Sequence, residues 1–157
     1  EGAKRQKARL LANERTGTPV VLYDDGDGIK HEFTDKLPIT NFPLKNADHK
    51  DAPIVIYEFP VENPPYGLYV AGVDPYRQGK AAYSTSLGAV YIYKRMHAIT
   101  GEKYQDMFVA SYCARPDKKE TWEEQARLLI KYYNARTLCE NDEISFIDIF
   151  RMDQGIN

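Results

Sequence analysis

Two acidic residues are set apart by what precedes them. Asp74 closes the apolar run Leu68–Val73 (LYVAGV), and Glu140 closes Thr137-Leu138-Cys139. A short apolar run bounded by turn residues suits a buried strand, so each carboxylate falls at a strand end. If the two strands are neighbours, about 4.8 Å apart, the carboxylates face each other at close range. They then repel unless a proton or a cation lies between them. A hard divalent cation takes oxygen ligands, which makes Mg²⁺ or Mn²⁺ the natural resolution. Two such ions about 4 Å apart would activate a water and stabilise the leaving oxygen in phosphodiester hydrolysis. Taken singly, each acid reads more simply as a solvated strand end; the pair is what suggests chemistry.

The elements around the pair must bring it together. After Leu68–Val73 come two further β-prone runs, Leu87–Tyr93 (LGAVYIY) and Met107–Ala114 (MFVASYCA), with Thr100-Gly101 between them as a turn. Three strands in succession predict an antiparallel meander. Residues 117–134 then read as a helix with Asp117 as N-cap. Trp122, Ala126, Leu129, Ile130 and Tyr133 form one apolar stripe, with Glu123, Glu124, Arg127 and Lys131 opposite and Asn134 as the stop. A right-handed crossover through this helix lets the fourth strand, 137–139, lie parallel to the first. That arrangement sets Asp74 and Glu140 at the same ends of neighbouring strands. Residues 143–152 read as a following helix.

The first part of the chain is β-rich and punctuated by proline. Val20–Tyr23 and Ile29–Phe33 flank Asp24-Asp25-Gly26-Asp27-Gly28, a hairpin signature. The aspartates invite a calcium reading, but an EF-hand loop needs a longer spacing and a distal Glu, so a plain turn is expected. Residues 54–59 (IVIYEF) look like another strand, and Pro60–Pro65 like a linker. Residues 1–15 carry five Lys/Arg against two Glu and suit a short solvated helix.

Other chemistries find little support. His31, His49 and His97 lack ligand spacing and read as surface histidines. Cys113 and Cys139 read as small buried apolar residues. Ser84, Ser86 and Ser111 have no nucleophile-elbow context. Tyr91, Tyr93 and Tyr112 could stack on bases, but at strand positions they read more simply as sheet packing. Two cysteines are too few for a disulfide scaffold or a four-cysteine zinc site, and fit a reducing compartment. The 157 residues suffice for one domain with an appended arm. With 21 Lys+Arg and 23 Asp+Glu the net charge is −2, which gives no whole-chain attraction to nucleic acid. No apolar run approaches the roughly eighteen residues of a membrane span, and no signal-peptide core is visible. The first residue is Glu1, so a piece of a longer polypeptide is expected.

The run YVAGVDPYRQGKAAYSTSLGAVYIYKR, followed later by WEEQARLLIKYYNARTLCEND, resembles the nuclease domain of the large terminase subunit of tailed bacteriophages. The likeness covers about residues 54–152. GVDPY matches the family's first-strand metal-binding Asp, and CEND its fourth-strand Glu-Asn. The resemblance implies a ribonuclease H-like α/β fold: a mixed sheet of three antiparallel strands, a crossover helix and a parallel fourth strand. Residues 1–65 would be a β-rich segment joining a preceding ATPase to the nuclease. Residues 66–157 would be the nuclease domain, incomplete at its C-terminus.

The implied activity is a divalent-metal-dependent DNA endonuclease that cuts concatemeric double-stranded DNA in the cytoplasm of an infected bacterium. Asp74 and Glu140 would hold Mg²⁺ or Mn²⁺, with Asn141 and Asp142 as candidates to support those ligands. Arg77 and Lys80 could contact backbone phosphates, which position DNA without reading its sequence. An ATPase motor domain, a portal and a small terminase subunit would be partners, and no membrane is involved. The family's third acid lies after a further strand, so its counterpart is expected beyond residue 157; Asp148 and Asp153 do not match its position. Where many members carry a further Asp after the first-strand acid, this sequence offers Ser84, Thr85 and Ser86. The family's phosphate-binding Gly-rich loop is absent from this sequence. Two alternatives stand beside this reading. One is a resolvase-like nuclease of the same fold; the other is a docking or regulatory domain that has lost the site.

Overall fold

The computed structural model describes residues 17–45, 49–76, 85–95 and 106–139. They form one seven-stranded mixed sheet carrying a single helix among the described residues. The strands are β1 (Thr18–Asp24), β2 (Ile29–Phe33), β3 (Ile54–Ile56), β4 (Tyr69–Asp74), β5 (Gly88–Lys94), β6 (Met107–Ala114) and β7 (Arg136–Cys139); the helix α1 (Lys119–Tyr132) lies between β6 and β7. Their order across the sheet is β2-β1-β3-β6-β5-β4-β7.

β4, β5 and β6 pair antiparallel in succession, and β7 pairs parallel to β4 at the sheet edge. The sheet is larger than the three-plus-one arrangement expected from the sequence. The β-rich stretch before residue 65 supplies β1, β2 and β3 to the same sheet, continued through the antiparallel pairing of β3 with β6. β3 is shorter than the expected 54–59 because the chain leaves the ladder after Ile56. The Tyr57 and Glu58 amides both turn to the carbonyl of Val109, at 2.8 and 3.1 Å. A register shift at Ile92/Tyr93 lies in the facing part of β5 and β6, where Ile92 pairs with Ala110 and Tyr93 with Phe108.

The helix lies where its apolar stripe predicts. Trp122, Ala126, Leu129, Ile130 and Tyr133 are all buried in the core, joined there by Val20 and Leu22 of β1 and Val90 and Ile92 of β5. The start differs from expectation. Lys118, not Asp117, is the N-cap, in extended conformation and without a side-chain cap bond. Glu123 is not on the solvated face either; it is buried beside Lys119, 3.7 Å away. The end is as expected: Asn134 takes a left-handed φ of 48°, a conformation Asn tolerates.

A polar contact from Gln125 also ties the helix to the sheet. β1 is bonded to β3 only from Thr18 to Val20, so the strand continues beyond its partner. The Gln125 side-chain amide bonds the Leu22 backbone instead, accepting from its N–H at 3.0 Å and donating to its C=O at 2.9 Å. A side chain thus does what a neighbouring strand would otherwise do for a buried backbone. No helix among the described residues is long and apolar enough to cross a membrane.

Candidate functional site

Asp74 is the last residue of β4. Side chains alternate faces along a strand. Tyr69, Ala71 and Val73 are buried on the helix-covered face, whereas Gly72 and Asp74 are exposed on the other. The Asp74 carboxylate therefore stands in solvent at the carboxyl end of a central strand, on the face away from α1. Just beyond it the chain turns inward. Tyr76 is buried, its ring edge-on to Trp122 at 5.7 Å and capped by the Arg115 guanidinium 4.5 Å from its centroid. Arg115 is fixed in turn by the Ser86 carbonyl and hydroxyl, at 3.1 and 2.9 Å. Burial pushes the Tyr76 phenol above its ordinary value, an effect partly opposed by Arg115. This packing anchors the chain two residues after Asp74.

β7 runs beside β4 in parallel, with Ala71 opposite Thr137, Gly72 opposite Leu138 and Val73 opposite Cys139. Both strands thus end on the same side of the sheet, Asp74 completing β4 and Cys139 completing β7. In the sequence, Glu140 follows Cys139 directly. Glu140, Asn141 and Asp142, like Arg77 and Lys80, lie outside the described residues. The helices expected at 1–15 and 143–152 also lie outside them, as do His97 and Ser84.

Among the described residues no three His, Cys, Asp or Glu side chains gather to hold a metal ion. Asp74 carries a solvent-exposed carboxylate, a hard oxygen donor by type. Two of the three aspartates of the first hairpin are otherwise engaged. Asp24 accepts from the Gly26 amide, and Asp25 from the Asp27 and Gly28 amides. Those bonds make the plain turn the sequence suggests.

The remaining candidates separate by burial. Tyr112 is buried, with its ring stacked 6.1 Å from that of Trp122, and Tyr93 packs against Phe108. Tyr91 differs: it is 45% exposed, on the same face as Asp74. His31 is half-buried, bonded to the Tyr132 hydroxyl at 2.9 Å and surrounded by Phe33 and Phe59, a contact that joins β2 to α1. Cys113 is half-buried, and its thiol donates to the Tyr91 hydroxyl at 3.2 Å. Burial raises its pKa, and the bond to Tyr91 opposes this; a thiol so placed is a poor nucleophile. The grouping of Tyr91, Ser111 and Cys113 across two strands was not legible from the sequence. Alternation within Met107–Ala114 puts Ser111 and Cys113 on one face, but only the cross-strand register brings Tyr91 to them.

No protein-family model, curated protein or solved structure matches this chain.

Proposed function

We propose that this chain is the nuclease part of a viral DNA-packaging terminase, a metal-dependent endonuclease of the ribonuclease H-like class acting on double-stranded DNA. The observation that carries the reading is the parallel pairing of β4 with β7, in which Val73 faces Cys139. It ends the two strands side by side, one in Asp74 and the other just before Glu140 in the sequence. The β4-β5-β6 meander and the helix between β6 and β7 are also the elements that a ribonuclease H-like sheet needs, with β1–β3 as an extension beyond β6.

Asp74 and Glu140 would hold Mg²⁺ or Mn²⁺, and the ions would supply an activated water and charge stabilisation for the leaving oxygen. Asp74 offers its carboxylate from the end of a strand held by β5 through Ala89 and, up to Val73, by β7. Asn141 and Asp142 would support those ligands, and Arg77 and Lys80 would meet phosphates. The cytoplasm of an infected bacterium is where such a protein would work.

The test is plasmid cleavage by the parent polypeptide in Mg²⁺ or Mn²⁺, with Asp74→Asn and Glu140→Gln beside it. The reading expects cutting that either substitution abolishes. Cutting by the Asp74→Asn protein at the parent's rate would overturn it.

A further inference from the structure

The face of the sheet away from α1 is partly roofed by the segment between β2 and β3. Between roof and sheet lies a cavity of about 410 Å³. This falls within the roughly 300–1,000 Å³ of small-molecule sites. Phe42 lies on the roof side; Val55, Tyr57, Tyr91, Ser111 and Cys113 lie on the sheet side. None of the described residues lining it is charged. Its polar groups are mainly hydroxyls: the Tyr57 and Ser111 oxygens lie 3.2 Å apart, and Tyr91 accepts from Cys113. A hydroxyl both donates and accepts, so such a lining suits a neutral group with a mixed hydrogen-bonding edge. It does not suit a phosphate or a carboxylate, whose charge would be buried uncompensated.

One residue of the lining, Tyr91, is also a neighbour of Asp74 on the same face. The pairing register draws one row across the sheet: Leu138, Gly72, Tyr91, Ser111 and Val55. Gly72 brings no side chain to that row, and a Cβ built there meets nothing within 4 Å. Among the described residues, nothing fills the floor at Gly72. Asp74 is the diagonal neighbour of Tyr91, since Gly72 pairs with Tyr91 and Asp74 with Ala89. Diagonal positions lie about 7–8 Å apart.

We propose that this cavity receives one unpaired nucleobase of the DNA strand engaged at Asp74, stacked against Tyr91. The proposal takes its substrate class from the nuclease reading of Asp74. A flat, uncharged heterocycle with donors and acceptors on its edge matches the lining, and the phosphates stay outside, near the floor at Gly72. A base reaches such a pocket only out of its stack, so single-stranded or locally melted DNA is what enters.

The experiment measures binding of a fluorescent short oligothymidylate to the 157-residue protein by anisotropy, in EDTA so that no cutting occurs. An oligonucleotide of equal length made of abasic residues is the comparison. The base-bearing strand should bind roughly 5- to 150-fold more tightly, the usual worth of stacking one base. Tyr91→Ala, at a half-exposed position, should bring that ratio below about 2-fold while leaving the melting curve near that of the parent. Equal affinity of the parent protein for both strands overturns the pocket. If Mn²⁺ binding still depends on Asp74, the nuclease reading survives that result. If neither strand binds and Mn²⁺ binding does not depend on Asp74, both readings fall.

Discussion

Gly88, the first residue of β5, shows how closely α1 is seated. A Cβ built there would strike the Trp122 ring, at Cε2 and also at Cζ2 and Nε1, the last two at 2.6 Å. The ring cannot give way. It is fully buried, stacked on Tyr112 and met edge-on by Tyr76. Gly88→Ala should therefore cost about 1–3 kcal/mol in overpacking. Removing a glycine from a strand returns about 0.5–1 kcal/mol. The net loss is about 0–2.5 kcal/mol. With a urea slope of about 2 kcal/mol/M, the midpoint should fall by up to about 1.25 M. The slope itself should be unchanged. A cycle with Trp122→Phe separates this contact from a general effect at residue 88. The smaller ring leaves room, so the double variant should be more stable than the sum of the singles predicts, by about 1 kcal/mol. A cycle that closes to zero would refute the seating of the tryptophan against the sheet. That seating matters because α1 leads the chain from β6 to β7 and so to the edge beside β4.

Two further outcomes follow from the core. Leu129→Ala, in the middle of the buried stripe, should cost about 2–5 kcal/mol in denaturant melts; a loss below about 0.5 kcal/mol would mean the stripe does not face the sheet. Alkaline titration should unfold the protein through its buried tyrosines. Burial holds the Tyr112 and Tyr133 phenols above the ordinary value, and Tyr133 donates to the Glu58 carbonyl at 2.6 Å. The fold keeps these protons more tightly than the unfolded chain, so their stabilisation is full below the ordinary tyrosine pKa of about 10 and is lost as pH rises above it. Melting temperature should stay level with respect to these groups up to about pH 9 and then fall, part of the tyrosinate absorbance appearing only with unfolding; a level melting temperature through pH 11 would contradict it.

The elements were largely legible because the sequence alternates and punctuates them clearly. Ile29–Phe33 and Met107–Ala114 match their strands end to end, and the other strand assignments differ mostly at their ends. The helix stripe is a 3.6-residue pattern with few competitors, and Asn134 marked its end. Local pattern does not say which strand neighbours which. The placement of β1–β3 beyond β6 depends on nonlocal pairs such as Val55 with Ser111. Two charged residues are buried through ion pairs. Lys94 closes an apolar strand and would be expected in water, yet it is 1% exposed because Glu58, far away in sequence, meets its ammonium at 2.7 Å. Glu123 is drawn inward beside Lys119. Of the candidate site, Asp74 was legible as a strand-end acid. The cavity beside it was not, since it requires a roof from residues between β2 and β3.

Titration of the protein with Mn²⁺ by calorimetry, alongside Asp74→Asn, tests the central claim most directly. The substitution removes one anionic ligand with almost no change in shape, at an exposed position where the fold is indifferent to it. The account predicts Mn²⁺ binding by the parent that weakens at least about tenfold in Asp74→Asn, a difference of about 1.4 kcal/mol, with an unchanged melting curve. Equal Mn²⁺ affinity in the two proteins, or no binding by either, would contradict it and leave a sheet domain whose strand-end aspartate is only a solvated carboxylate.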